Sequence, residues 1–437
     1  MKTNFGHRLP EAPRLSLLAV ALGGLSLAAQ AQLPPPTPPA QPGAAPEAQT
    51  WSIGLQQTFT QESNLFRLSD GDNSQGDRED LVSTTGLNFR LDQPLGRQRL
   101  RGQADFQHNR YREHDELDST GHDLRLILDW ETINNLSGNL GVQSVKRQYR
   151  YGLDSTGTFD GRNDETTQTA FFKGRLGGMG LWSLQFGADA LQRDYSAEQF
   201  DTEELSQYSG EFGVGYRPSP DLGGALLARH TRINRPDVTR DGAPPLEIVG
   251  DDVSRNDIEA TAVWQLTGAS RFDARLTRSQ EDHKVVDDRS FWTGALAWNW
   301  APSAKLNFTT RIGRDTEGQA GNVLTAGAQA PTVPAGDQLR DVFEWTAQWE
   351  ATAKILVLGT AQWSKRKLGR IGEGPELNDR TQAFGVGVRY TAARWLDLGC
   401  DVRHEERKTN ASTPDERVVT RPYDALAAGC TLALWFR

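Results

Sequence analysis

Three groups of residues in this chain have the types and spacing for chemistry. The histidines come first. His114-Asp115-Glu116 and His404-Glu405-Glu406 each set an imidazole beside two carboxylates, a donor set for weak divalent-ion binding, although a solvated acidic loop is the plainer reading. His108, His122, His230 and His283 are scattered. No Gly-x-Ser-x-Gly elbow or His-Glu-x-x-His occurs, and Asp70-Gly71-Asp72-Asn73-Ser74 lacks the glycine that a calcium loop needs at its sixth position. No catalytic, cofactor-binding or metal site is therefore expected, and the chain reads as a non-enzyme. The second group is a set of Arg, Lys and Asp residues spaced at even intervals among apolar ones: Arg99, Arg101, Asp105, Arg125, Asp129, Lys173, Arg175, Asp273, Arg275, Arg311, Arg389, Asp397 and Arg403. On one wall, such residues keep an interior hydrated, hydrogen-bond sugar hydroxyls and steer anionic polymers. Arg99, Arg101, Arg125, Arg175 and Arg311 together would favour anions at their height. The third group is the two cysteines, Cys400 and Cys430, which permit one disulfide but no framework.

The elements that must carry these residues have a period of two. Ile258, Ala260, Ala262, Trp264 and Leu266 share one face of a segment whose other face carries Asp257, Glu259, Thr261 and Gln265. Leu124 to Trp130, Trp182 to Ala188, Tyr208 to Tyr216, Leu306 to Ile312 and Phe384 to Tyr390 repeat the scheme. Segments of about ten residues with one apolar and one polar face suit a wall between lipid and water. A soluble sandwich also alternates, but with shorter strands.

The connections separate the two. Short turns fall at 93–96, 134–135, 177–180, 218–221, 267–270, 301–304, 351–354 and 391–394. Between them lie long polar stretches at 61–80, 113–121, 151–165, 196–205, 233–254, 281–289, 314–340, 365–379 and 404–417. This predicts an all-β fold, a transmembrane antiparallel up-and-down β-barrel of about eighteen strands. Short turns would face the periplasm and long loops the exterior, with 314–340 either exposed or folded inward as a constriction. Trp51, Trp130, Trp182, Trp264, Trp298, Trp300, Trp349, Trp395 and Trp435 lie near short turns or chain ends and are expected to form a periplasmic girdle. Tyr111, Tyr149, Tyr151, Tyr195 and Tyr423 flank the long loops and suggest an outer one. Alternation turns Cys400 and Cys430 toward lipid on adjacent final strands, bonded if the register opposes them and two apolar thiols if it does not.

The N-terminus fixes the compartment. Lys2, Arg8 and Arg14 precede an apolar run from Leu15 to Ala29 and an Ala29-Gln30-Ala31 cleavage site, the pattern of a secretory signal peptide over 1–31. The mature chain would begin at Gln32. Residues 32–49 hold Pro34, Pro35, Pro36, Pro38, Pro39, Pro42 and Pro46 and read as a periplasmic linker ahead of a barrel over 50–437. The expected location is the bacterial outer membrane, and the expected partners are outer-membrane lipid and lipopolysaccharide. The alternating Leu432, Leu434 and Phe436, followed by Arg437, resemble the C-terminal signal read by the barrel-assembly machinery. A net charge of −9 argues against a nucleic-acid partner.

Glu62-Ser63-Asn64-Leu65-Phe66-Arg67-Leu68-Ser69-Asp70, Gly96-Arg97-Gln98-Arg99-Leu100, Asn109-Arg110-Tyr111 and Leu117-Asp118-Ser119-Thr120-Gly121 resemble the EpsL type of outer-membrane β-barrel protein, a porin-like family of exopolysaccharide-biosynthesis and exosortase loci. Ser63 and Ser69 stand where many members carry Asp and Pro. The resemblance spans the first third of the barrel. It implies a part in exopolysaccharide biosynthesis or export, as a channel or export-site component, with exopolysaccharide and periplasmic export components as partners. The alternatives are a general or sugar-specific diffusion porin and a barrel-embedded polymer-modifying enzyme.

Overall fold

The structure, a computed structural model, describes residues 50–72, 77–133, 135–148, 162–177, 180–240, 246–285, 287–316, 339–370, 376–412 and 420–436. Residues 1–49, expected as a signal peptide and a linker, lie outside the described residues, as do Tyr149, Tyr151 and most of the 314–340 stretch.

Eighteen strands form one sheet. In chain order they begin with β1 (Trp51–Glu62), β2 (Asp80–Leu95), β3 (Gln98–Tyr111), β4 (Ser119–Glu131), β5 (Leu136–Gln148), β6 (Asp164–Leu176), β7 (Trp182–Tyr195), β8 (Leu205–Ser219) and β9 (Leu222–Asn234). A two-stranded hairpin, β10 (Val238–Arg240) and β11 (Leu246–Ile248), sits in the next loop. The ring resumes with β12 (Val253–Thr267), β13 (Ser270–His283), β14 (Arg289–Ser303), β15 (Leu306–Thr316) and β16 (Leu339–Thr352). It ends with β17 (Ile355–Arg370), β18 (Glu376–Ala393), β19 (Leu396–Thr409) and β20 (Tyr423–Phe436). Each strand pairs antiparallel with the next, β9 pairs with β12, and β20 returns to β1 through a ladder from Ile53↔Phe436 to Glu62↔Ala427. Closure leaves no sheet edge, so every strand has a ladder on both sides.

The expected strand count and turn positions match the ring. Turns of two to five residues join β2/β3, β4/β5, β6/β7, β8/β9, β12/β13, β14/β15, β16/β17 and β18/β19. Several of these turns carry a register shift beside them, at Gln265/Thr267, Trp300/Ser303, Glu350/Thr352 and Thr391/Ala393, where an extra residue tightens the hairpin. Gly96 and Asn135 adopt left-handed backbone at φ 66° and 57°, which tight turns demand and glycine or asparagine tolerates.

Strand length departs from expectation. The strands run from 11 to 18 residues rather than about ten. The 365–379 stretch is mostly ladder, because β17 and β18 pair as far as Arg370↔Glu376, and β19 carries the ladder through residues expected in the last loop. About ten tilted residues cross a bilayer, so the excess stands above the membrane on the loop side.

The two faces differ as alternation requires. Outward stand Phe384, Val386 and Val388 on β18, 44–62% exposed, with Leu126, Phe212, Ile258, Leu276 and Leu432 on other strands. Inward stand Thr58, Thr84, Asp257, Thr277, Asp379 and Glu405. Near the short turns Trp264, Phe272, Trp298, Trp300, Phe308 and Trp345 form an unbroken outward row across β12–β16, each ring centroid 5.4–6.1 Å from the next. A closed ring with an apolar, aromatic-belted exterior and a polar interior belongs in lipid. The chain is a multi-pass β-barrel of the bacterial outer membrane.

Two aromatic expectations need correction. Trp435 is not in the girdle. It lies on the inward face of β20, 3% exposed, and its ring occupies the space over Gly54 on β1, where a Cβ would meet it at 2.7 Å. Tyr195 and Tyr423 are inward and buried, and the Tyr111 hydroxyl donates to Gln148, so these three do not form an outer girdle. For Trp435, Tyr195 and Tyr423 a neighbour two residues away, Ala433, Arg193 or Ala425, already faces the interior.

Candidate functional site

The interior wall is the candidate site, and strand alternation builds it. Arg99, Arg101 and Asp105 lie on one face of β3, Arg125 and Asp129 on β4, and Lys173 and Arg175 on β6. Arg275 lies on β13, Arg311 on β15 and Arg389 on β18. Each shares its strand face with buried or partly buried polar residues and alternates with the outward apolar ones, so all of them face the interior.

The interior arginines named above are mostly held by carboxylates. Arg99 bonds Asp92 and Arg101 bonds Asp129 at 2.7 Å. Arg311 bridges Asp315 at 2.7 Å and Glu344 at 3.1 Å, and Arg275 reaches Asp315 at 2.6 Å and Glu259 at 3.6 Å. Nor do the five arginines expected to act together share one height. Arg99 and Arg175 adjoin periplasmic turns, whereas Arg125 and Arg311 stand several residues higher on their strands. Neighbouring strands are staggered in a barrel, so equal spacing along the sequence does not place residues on one ring. The lining is thus an array of paired opposite charges and not a cationic belt.

At the periplasmic end, between β4 and β8, a cavity of about 430 Å³ is lined by the polar residues Arg97, Asp129, Glu131, Ser137, Asn139, Lys173, Arg175, Gln185 and Glu211, with Trp130 and Phe186. Glu211 accepts from Arg229 at 2.5 Å and lies 3.7 Å from Lys173. Arg175 carries no ion pair among the described residues and faces the cavity exposed. Donors and acceptors therefore converge on one space, the arrangement that suits hydroxyl-rich solutes.

At the extracellular end the pairs are more deeply buried. Arg366 and Asp379 bond through two nitrogens, with Arg407 3.9 Å from the same carboxylate. Arg255 holds Asp257 and Glu281 at 3.2 and 3.6 Å, and Arg403 holds Glu405 at 3.0 Å. The Tyr423 hydroxyl donates to Glu405, and Arg407 lies over the Tyr423 ring at 5.0 Å.

Above these pairs the β1/β2 connection folds in as a latch. The Asn64 side chain donates to the carbonyls of Leu68 and Asp424 and accepts from the Leu68 amide, all within 2.9 Å. Ser63 exchanges bonds with Leu426 on β20. Phe66 and Leu68 bury themselves against Leu117 of the next loop. Arg67, in left-handed backbone at φ 54°, donates to Glu62 at 3.1 Å and to the Asn64 carbonyl. Burial opposes its charge, but the Glu62 and Glu405 carboxylates outweigh that and raise its pKa above the ordinary guanidinium value. The polar 61–80 stretch, expected as an outside loop, thus ties β20 to the β3/β4 loop. The sequence signal for this was the apolar Leu65, Phe66 and Leu68 inside it, which a solvated loop has no reason to carry.

Neither histidine motif gathers its three side chains at one point. His114 uses both ring nitrogens within the latch, on the Asp77 carbonyl at 2.9 Å and Glu116 at 3.1 Å, with Phe66 edge-on at 4.8 Å. His404-Glu405-Glu406 lies on a strand, so His404 and Glu406 point outward and Glu405 inward. Among the described residues no cluster of three metal-ligating side chains occurs. Cys400 and Cys430 are directly opposed across β19/β20 and bonded, on the outward face, with Cα atoms 4.1 Å apart.

No protein-family model matches the chain, and no curated protein matches it. Solved structures similar to it include Acinetobacter baumannii OccAB3, at 10% identity and a TM-score of 0.48, covering 89% of this chain and 98% of that one. Pseudomonas aeruginosa OccK3 (OpdO) is similar at 10% identity and a TM-score of 0.45, covering 89% and 95%. The Pseudomonas aeruginosa outer membrane protein OpdK is similar at 11% and 0.44, covering 88% and 99%.

Proposed function

We propose that this barrel is a diffusion channel for small hydrophilic solutes, with sugars and their derivatives as the class its lining suits best. The observation that carries the reading is the interior array of paired Arg and Asp or Glu side chains inside a closed ring of eighteen strands. A ring of that size encloses an interior wide enough for water unless loops fill it. A hydroxyl both donates and accepts, so a wall that offers guanidinium donors beside carboxylate acceptors holds it at either end. Balanced charge also avoids retaining ions of one sign. Liposomes containing the purified barrel should swell in mono- and disaccharides, and planar bilayers should show discrete conductance with weak ion selectivity. A folded barrel that gives neither swelling nor conductance sinks the channel reading.

A second reading, export of an exopolysaccharide, is supported by one further observation. Glu62 to Leu68, which carry much of the family resemblance, build part of the extracellular mouth, where a polymer would leave. A deletion strain assayed for secreted against periplasmic polymer separates the readings. Periplasmic accumulation favours export, and unchanged secretion with slower sugar uptake favours diffusion.

A further inference from the structure

The Cys400–Cys430 bond lies well inside the lipid-facing wall. Both cysteines are exposed on the outward face, and the directly opposed row across the final strands and β1 reads Val388, Cys400, Cys430 and Phe59. Leu398 and Val402 flank Cys400 along β19, and Leu432 and Ala428 flank Cys430 along β20, all outward and exposed. The polar side chains diagonal to the row, Tyr390 on β18 and Gln57 and Gln61 on β1, carry no charge at neutral pH, and Gln57 is engaged with Ser83 and Thr85 on β2. Among the described residues, the nearest outward side chains that carry or gain a charge near neutral pH are His404, four residues above Cys400, and Asp424, six above Cys430.

Their height completes the picture. Cys400 is four residues above Leu396, where β19 begins, and Cys430 is six above Phe436, where β20 ends. At about 3.4 Å per residue and a tilt near 40°, the bond stands roughly 10–16 Å above the periplasmic strand ends, the middle of an apolar band about 25 Å tall. Thiol–disulfide exchange proceeds through a thiolate that must reach a sulfur. Hydrocarbon disfavours that ion and keeps out polar reagents dissolved in water.

We infer that the bond is made before the barrel assembles, by a periplasmic dithiol oxidase acting on the unfolded chain, and is sealed once the wall meets lipid. One cysteine thiolate attacks the oxidase disulfide, forming a mixed disulfide and releasing one oxidase thiolate. The second cysteine thiolate then attacks the protein sulfur of the mixed disulfide, closing Cys400–Cys430 and releasing the other oxidase thiolate. The chain loses two electrons and two protons, and the oxidase disulfide becomes a dithiol. With two cysteines in the whole chain, one intramolecular pairing exists, so no folded template is needed. Because the two residues are directly opposed, the bond sets the register of β19 against β20 before either strand enters the membrane. The inference is independent of what crosses the interior.

Thiol trapping in cells that make the full-length chain tests this. In cells depleted of the barrel-assembly machinery, the unassembled chain should show no thiol to a maleimide mass tag added after denaturation. Two tagged thiols there, with none in assembled barrels, overturn the order of events. In outer membranes holding assembled barrels, tris(carboxyethyl)phosphine should reduce the bond at least a hundredfold more slowly than in the same sample unfolded by heat and detergent. Equal rates overturn the sealing. A third arm uses cells without a periplasmic dithiol oxidase. Barrels that assemble there should keep two thiols when the membranes are given oxidised glutathione, and should close the bond only after unfolding; closure in the folded wall overturns the inference. If no reduced barrel assembles, the first two arms carry the test.

Discussion

The two ends of the barrel hold together by different means. At the periplasmic end, turns of a few residues fix neighbouring strands, an aromatic row faces lipid, and the Cys400–Cys430 bond ties the lower part of β19 to β20. At the extracellular end the connections are long, and order comes from buried ion pairs and from a latch joining residues 360 positions apart, Asn64 and Asp424. The first end is built from turns of a few residues, the second from pairs buried within and between neighbouring strands and from a latch whose two sides, β1 and β20, meet only when the ring closes. A local hairpin survives a substitution that leaves its turn intact. A buried pair does not survive the loss of one member, because the other charge is then stranded.

The comparison can be broken most severely at the extracellular end. Arg366→Leu leaves the buried Asp379 carboxylate without its bidentate donor and should destabilise the barrel by about 3–5 kcal/mol, as is usual for half-deleted buried pairs. Urea titration of barrel refolded in detergent micelles measures this, and Arg366→Leu with Asp379→Leu should recover much of the loss. A double variant as unstable as the single one would mean that the pair is not the cause.

Next in size is the staple at the periplasmic end. The bond closes a separation of 30 residues, so replacing both cysteines by alanine should cost about 3–4 kcal/mol if unfolded-chain entropy governs the effect. Conductance should change little, since both sulfurs face lipid. Two reactive thiols in the denatured, unreduced wild-type protein would remove the premise.

A smaller effect belongs to the turns themselves. Gly96→Ala forces a side chain into left-handed backbone and should cost about 1–2 kcal/mol, whereas Asn135→Gly should be neutral or slightly stabilising. Equal losses from both would show that backbone conformation is not what the turns select.

The smallest effect separates the ends by pH. Burial disfavours the charged form of His114, but the Asp77 carbonyl, Glu116 and Asp80 outweigh it and raise the pKa above the ordinary imidazole value. A raised folded pKa contributes stability that is complete below the unfolded value and disappears as pH rises through the folded one. The latch should therefore weaken between mildly acidic and mildly alkaline pH, seen as faster proteolysis of residues 63–79, while the periplasmic hairpins stay unchanged. His114→Gln should abolish that pH dependence; a variant that keeps it would assign the effect to another group.

The sequence by itself determined the barrel, the number of strands, the positions of the tight turns and the face on which almost every strand residue stands. These follow from a period of two and from turn chemistry, both local properties that neighbouring residues fix among themselves. The same alternation, applied strictly, would have turned Trp435, Tyr195 and Tyr423 inward, where a bias toward aromatic girdles placed them outside. Only the tertiary structure decided which arginine meets which carboxylate, that Cys400 stands level with Cys430, and that Asn64 to Leu68 fold into the mouth. Those contacts depend on the register between paired strands and, for Asn64 on β20, on closure of the whole ring, neither of which a single segment encodes.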